Sequence, residues 1–319
     1  MSEIAEIPLE PQSAGAVLMV RPACFGFNPQ TADSNAFQKS PGQAPNIDQQ
    51  GLALAEFDGV VDSLQRAGVE VIVAPDTRQP AKPDAIFPNN WVSFHRDGTV
   101  ALYPMMAQNR RWERREEVVE QVVREGGFYA LRTVDLTPRE TDGKFLEGTG
   151  SMVLDRANRI AFASPSPRTD LDVLGDFAQQ LDYQLVTFQA GDAAQQPVYH
   201  TNVLMAVGTR FAVLCGQSIA HAPHREAVFS KLRSTGHEII DISLAQMSSF
   251  AGNVLELAPG GASVIALSTT AWRSLDAGQR RALESYGAVM PVAIPNIERF
   301  GGGGVRCMLA EIHLPKRRR

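Results

Sequence analysis

A pattern of extended, turn, extended, helical and extended sequence recurs along this chain, and that recurrence limits the folds open to it. Residues 150–155 and 159–163 read as paired strands, 169–180 as a helix and 183–189 as a third strand. The same order returns over 201–207, 211–215, 224–234 and 238–242, and again over 252–257, 263–267, 271–284 and 289–294. An earlier stretch fits the template at 87–94, 99–103, 112–124 and 131–136. The second strands of these four units end at Tyr103, Ser164, Cys215 and Leu267, at spacings of 61, 51 and 52 residues. A unit of that size cannot bury its own apolar face, so neighbours must pack together.

The N-terminal part supplies only a strand at 17–21, a helix at 52–67 and a strand at 69–74. Its missing strand is expected at the far end, over 307–314, and pairing last with first would close a ring and remove two sheet edges. The expectation is one α/β domain over 16–315, a five-bladed α/β propeller of ββαβ repeats closed by the C-terminal strand. Residues 1–15 are expected to be a disordered tail and 316–319 a basic tail. From Arg21 to Tyr103 is 82 residues, about 30 beyond the period, and the excess lies in the Pro/Gly/Asn/Gln-rich stretch 23–50. That stretch reads as either a lid over a site or a disordered insertion, with the lid favoured.

With 30 Lys+Arg against 35 Asp+Glu the net charge is −5, which argues against nucleic acid as a partner. The basic runs at 110–115 and 316–319 read mainly as solvated charge. No apolar run approaches the roughly 20 residues that cross a bilayer, and the first residues carry acids where a signal peptide carries Lys or Arg. A cytoplasmic protein without a membrane partner is expected, and assembly into a homo-oligomer is left open. Cys24, Cys215 and Cys307 give neither a disulfide framework nor C-x-x-C zinc spacing.

Four places carry chemistry. Cys307 follows four glycines and Arg306, so backbone and substrate can approach its thiol, and the cation should lower its pKa. The bland alternative is a flexible linker before a buried strand cysteine. Cys215 sits in an apolar strand and Cys24 in the lid stretch. Among the six histidines, His200 stands at a strand start with Asn202 two residues on and so on the same face. Glu147 lies between an apolar pair and a Gly-x-Gly turn, and Asn90 follows Pro88 and Asn89; each also reads as an ordinary turn residue. Yet Asn90, Glu147 and His200 share the entry position of three units, with Cys307 assigned to a fourth, so a ring would bring them into one pocket.

Glu147-Gly148-Thr149-Gly150, His200-Thr201-Asn202, Ser166-Pro167-Arg168-Thr169 and the glycine-rich approach to Cys307 resemble the motifs of the guanidine-modifying, or pentein, superfamily. The nearest resemblance is to its amidinotransferase-like branch of citrulline-utilisation hydrolases. The resemblance spans most of 15–314 and implies a five-unit α/β propeller. It also implies a cysteine nucleophile at Cys307, a proton carrier at His200, an orienting carboxylate at Glu147 and no metal or other cofactor. Arg168 and one of Arg110 or Arg111 would hold a substrate carboxylate.

The family's arginine deiminases place aspartates where Asn90 and Asn202 stand here. Asparagine donates and accepts without charge, which favours a neutral ureido group. The leading expectation is therefore a small-molecule hydrolase that converts citrulline to ornithine, carbon dioxide and ammonia. Arginine deiminase or dihydrolase activity and amidino transfer are the alternatives. A non-catalytic binder, like the ribosome-binding initiation factor that shares the repeat, has no need of the Cys, His and Glu set.

Overall fold

The computed structural model describes residues 10–40 and 48–316. The expected tails fall partly outside it, at 1–9 and 317–319, as does part of the lid stretch, at 41–47. Fifteen strands are formed among the described residues: β1 Ala16–Arg21, β2 Glu70–Pro75, β3 Val92–Phe94, β4 Thr99–Leu102 and β5 Arg132–Asp135. Then come β6 Met152–Asp155, β7 Ile160–Ala163, β8 Gln184–Thr187, β9 Met205–Val207 and β10 Phe211–Leu214. The last are β11 Glu238–Asp241, β12 Leu255–Leu257, β13 Val264–Ser268, β14 Ala288–Val292 and β15 Ala310–Glu311.

They make five separate three-stranded sheets: β15-β1-β2, β3-β4-β5, β6-β7-β8, β9-β10-β11 and β12-β13-β14. In four of them the first pair is antiparallel and the second parallel, with a helix in the parallel crossover. The remaining sheet obtains the same geometry from both chain ends, because β15 pairs antiparallel with β1 (Val17 with Glu311) and β1 pairs parallel with β2. Neighbouring sheets approach one another closely: β15 lies beside β3, β6 beside β9 and β9 beside β12. Four apolar clusters, including one around Phe162, Phe211 and Leu267, lie between sheets and helices. No helix among the described residues is long and apolar enough to cross a membrane.

The unit entries depart from expectation, and the departure builds the site. Residues 87–90, 148–151 and 201–204 are single helical turns, Pro88–Asn90, Gly148–Ser151 and Thr201–Leu204, with strand only after them. Pro88 pre-sets the first of these turns. Cys307 likewise sits on a 3-10 turn, Val305–Met308, and not on a strand. The turns at Pro88–Asn90 and Val305–Met308 pack on one another, and Gly148–Ser151 packs on Pro88–Asn90 and Thr201–Leu204.

Two helices are also revised. The stretch from Thr269 to Glu284 holds two, because Asp276 opens a second helix with a capping box to Gln279. Residues 108–113 form a 3-10 helix before the α-helix Glu116–Glu125, and the tighter winding aligns Arg110 with Glu113. At the N-terminus, residues 10–15 are not a free tail. Gln12 donates to the carbonyls of Leu154 (3.0 Å) and Val207 (2.9 Å), and Glu10 pairs with Arg156 at 2.8 Å. Lys316, expected in the basic tail, pairs with Glu70.

Candidate active site

The turns that begin the units face one another, and their side chains meet in a narrow cavity. Asn90, Arg110, Arg168, His200 and Cys307 line it, with Asn35, Asp84, Phe87, Tyr199 and Gly301–303. A larger surface groove bordered by Phe37, Phe250 and Glu298 does not include Cys307.

Cys307 is 3% exposed. Its Sγ accepts from Asn253 Nδ2 at 3.2 Å and from Asn202 Nδ2 at 3.5 Å. Burial pushes the thiol pKa up, against the lowering effects of Asn253, Arg306, the Gly304 backbone and Asn202. Arg306 does act to lower this pKa, as expected, but burial outweighs it. Its guanidinium donates to Leu309 O and Glu311 rather than facing the sulfur alone.

Glu147 is fully buried, and its Oε2 lies 2.9 Å from His200 Nε2 and 3.5 Å from both Arg110 Nη1 and Arg168 Nη1. Its other oxygen accepts from Met106 N at 3.1 Å. Burial alone would raise the carboxyl pKa, but Arg168, His200 and Arg110 together hold it well below the usual carboxylate range. Burial pushes His200 down to about 4 despite Glu147. Beside an ionised acid, the neutral imidazole carries its proton on Nε2, and Nδ1 keeps the lone pair.

Gly150 is required here, since a Cβ would lie 2.5 Å from Asn90 Nδ2 and 2.7 Å from His200 Nδ1. Asn90 Oδ1 accepts from Arg110 Nη1 at 2.9 Å. Asn202 Oδ1 is buried and meets no donor.

Arg110 forks onto Glu113, with Nε to Oε1 at 2.9 Å and Nη2 to Oε2 at 3.0 Å. Arg168 is held from the stretch expected as a lid: Nε and Nη2 donate to Ser34 Oγ at 3.0 and 2.7 Å, and Nη2 also to Thr31 O at 3.1 Å. Its guanidinium stacks over Tyr199 at 5.0 Å, and Tyr199 donates to Gly302 O. Arg111 is separate. It pairs with Glu140 at 3.3 Å and its side chain is 30% exposed, so of the two candidate arginines the cavity takes Arg110.

Cys215 is buried in the core, and Cys24 is half-buried against Arg78 O, away from the cavity. Among the described residues no cluster of three His, Cys, Asp or Glu is arranged for a metal ion.

Sequence reasoning missed Asn253, Asp84 and Tyr199. The period could have found the first: Asn253 stands 51 residues after Asn202, at the entry of the next unit. Asp84 accepts from Asn28 Nδ2 at 2.7 Å, lies 3.8 Å from Arg110 and leaves Oδ1 without a partner. No repeat position flags it.

Known proteins sharpen the picture. No curated protein matches the sequence. Among solved structures, the N-terminal domain of ArgZ bound to substrate is described as an arginine dihydrolase from the ornithine–ammonia cycle in Cyanobacteria. It superposes with a TM-score of 0.70 at 16% identity, over 92% of this chain and 96% of that one. AgrE in complex with L-arginine gives 0.71 at 17%, over 95% of this chain and 40% of that one. A dimethylarginine dimethylaminohydrolase adduct with S-methyl-L-thiocitrulline gives 0.63 at 15%, over 94% and 100%. These likenesses establish the α/β fold.

The family model described as N,N dimethylarginine dimethylhydrolase, eukaryotic, matches residues 21–314, nearly the whole chain. The chain belongs to that family, within the pentein guanidino-modifying superfamily, and is a hydrolase of carbon–nitrogen bonds other than peptide bonds.

Proposed function

We propose that this enzyme hydrolyses a free ureido or guanidino α-amino acid completely to ornithine, with citrulline as the substrate its site fits best. The observation that carries the reading is a thiol under two side-chain amides in the same cavity as His200, which Glu147 holds by its Nε2. The neutral imidazole takes the Cys307 proton as sulfur attacks the ureido carbon, then gives it to the departing ammonia. This leaves a thiocarbamate between Cys307 and the substrate δ-nitrogen. Water, deprotonated by His200, attacks that carbon, and the C–S bond breaks to restore the thiol. The released carbamate loses carbon dioxide to give ornithine. The balance is citrulline + H₂O → ornithine + CO₂ + NH₃.

Glu147 is already engaged by His200, Arg110 and Arg168, while Asn202, whose amide donates to Cys307 Sγ, leaves its uncharged Oδ1 without a partner, which suits a urea N–H. Asp84 Oδ1 suits the substrate ammonium and Arg168 its carboxylate.

A second reading, arginine dihydrolase, is favoured by the likeness to ArgZ. Arginine would lose ammonia first, water would release citrulline, and citrulline would react again in place. The inter-sheet contacts support a closed five-bladed ring about this site, with part of 23–50 as its lid. A nucleophile that must stay reduced fits a cytoplasmic enzyme.

The test is a panel of citrulline, arginine and dimethylarginine assayed for ornithine, ammonia and dimethylamine. Ornithine from citrulline supports the first reading, and ornithine from arginine alone the second. Dimethylamine without ornithine assigns dimethylarginine instead, and no product from any of the three overturns the proposal.

A further inference from the structure

We propose that Asn253 is the positioning residue that sets the reactivity of Cys307, by holding an amide N–H on the sulfur in one fixed orientation. The proposal rests on the reading of Cys307 as nucleophile.

Asn253 Nδ2 donates to Cys307 Sγ at 3.2 Å and to Asn202 O at 3.0 Å, while its Oδ1 accepts from Arg306 N at 3.0 Å. One carboxamide therefore joins the loop before β12, the turn before β9 and the turn that carries the thiol. Both of its edges are engaged, so it cannot flip to present oxygen to sulfur. Asn202 is less suited to this role, because its donor sits at 3.5 Å and its oxygen has no partner to fix it. The cation of Arg306 is drawn off by Glu311 at 3.1 Å.

The glycine run has a specific purpose at one position. A Cβ on Gly304 would lie 2.5 Å from Asn253 Oδ1, so glycine at 304 makes room for this amide. An N–H aimed at sulfur stabilises thiolate over thiol, the opposite of what burial does at this site. The other charged or titratable groups around the sulfur are Arg306 and, across the cavity, His200, Tyr199, Asp84, Arg110 and Arg168. Substituting Asn253 leaves all of them in the chain.

The test follows alkylation of Cys307 by iodoacetamide as a function of pH, read on the Cys307 peptide by mass spectrometry. The thiol gives its proton to buffer, the thiolate displaces iodide, and an S–CH₂ bond forms. Asn253→Ala should move the profile up by about one pH unit, a roughly tenfold slower reaction at neutral pH. It should lower kcat about tenfold or more with little change in KM. Asn253→Asp, which places a carboxylate beside the sulfur, should be slower still. Asn253→Ser, which keeps a donor, should recover part of the loss and serves if the alanine variant does not fold. A folded alanine or serine variant with the wild-type profile overturns the proposal. Failure of the underlying reading looks different: the wild-type Cys307 peptide stays unlabelled at every pH and Cys307→Ala keeps its turnover.

Discussion

Glu147 Oε2 accepts from His200 Nε2 at 2.9 Å while two buried guanidiniums, Arg110 and Arg168, stand 3.5 Å from the same oxygen. One atom thus orients the imidazole and balances two cations. Glu147→Gln keeps the shape and removes the charge. It should lower kcat by about 10²- to 10⁴-fold, and destabilise the fold by roughly 3–5 kcal/mol because buried Arg168 loses its counter-ion, while Arg110 keeps Glu113. Steady-state kinetics and urea unfolding measure the two effects separately, and wild-type values in either would contradict this account.

Gly150→Ala places a methyl where Asn90 Nδ2 and His200 Nδ1 already stand. The chain is helical there, so the backbone accepts alanine and the damage falls on the two side chains. Activity should drop at least tenfold while the circular dichroism spectrum stays native. A fully active alanine variant would show that the imidazole need not hold its observed position.

Ser34 Oγ sits on the Nε and Nη2 edge of Arg168, the edge that would otherwise form a two-pronged contact with a carboxylate. A bound substrate carboxylate and this hydroxyl compete for it. Ser34→Ala should therefore lower KM a few-fold at unchanged kcat. Arg168→Lys, which cannot form the fork, should raise KM about tenfold or more. A rise in KM for Ser34→Ala would mean that the hydroxyl assists binding.

His200, His95 and His313 are all buried with pKa values pushed down by burial. The folded protein binds fewer protons than the unfolded chain, so this stability is complete above pH ~6.5 and is lost as pH falls. For His200 the window runs from that value down to about 4, worth on the order of 3 kcal/mol. The melting temperature should fall steadily from pH 6.5 to 4, and the slope should be shallower in folded His200→Gln. An equal slope in that variant would remove His200 from the account.

The repeat was legible because each sheet needs the same apolar spacing, and Cys307, His200, Glu147, Asn90, Asn202, Arg110 and Arg168 do converge. The conformation of the entries was less legible. Val203, Leu204 and Trp91 are apolar and buried in or beside helical turns, and a short apolar run looks the same in a turn as in a strand. His200 and Asn202 therefore reach the site from one turn rather than from one strand face. Arg111 and Arg110 were inseparable because the contacts that distinguish them, with Glu140 for one and with Asn90 and Glu147 for the other, are tertiary. Asp84 precedes its unit's entry, where the period says nothing.

The pairing of Glu10 with Arg156 governs how this chain can be cut and tethered. Arg156 also faces Glu311, which holds Arg306, the neighbour of Cys307. A trimmed version starting at β1 would retain every strand and every residue of the cavity. It would also leave a buried guanidinium short of one carboxylate, at the far end of a run of ion pairs that leads to the nucleophile's neighbour. A fusion partner is better joined ahead of Glu10 than in place of it.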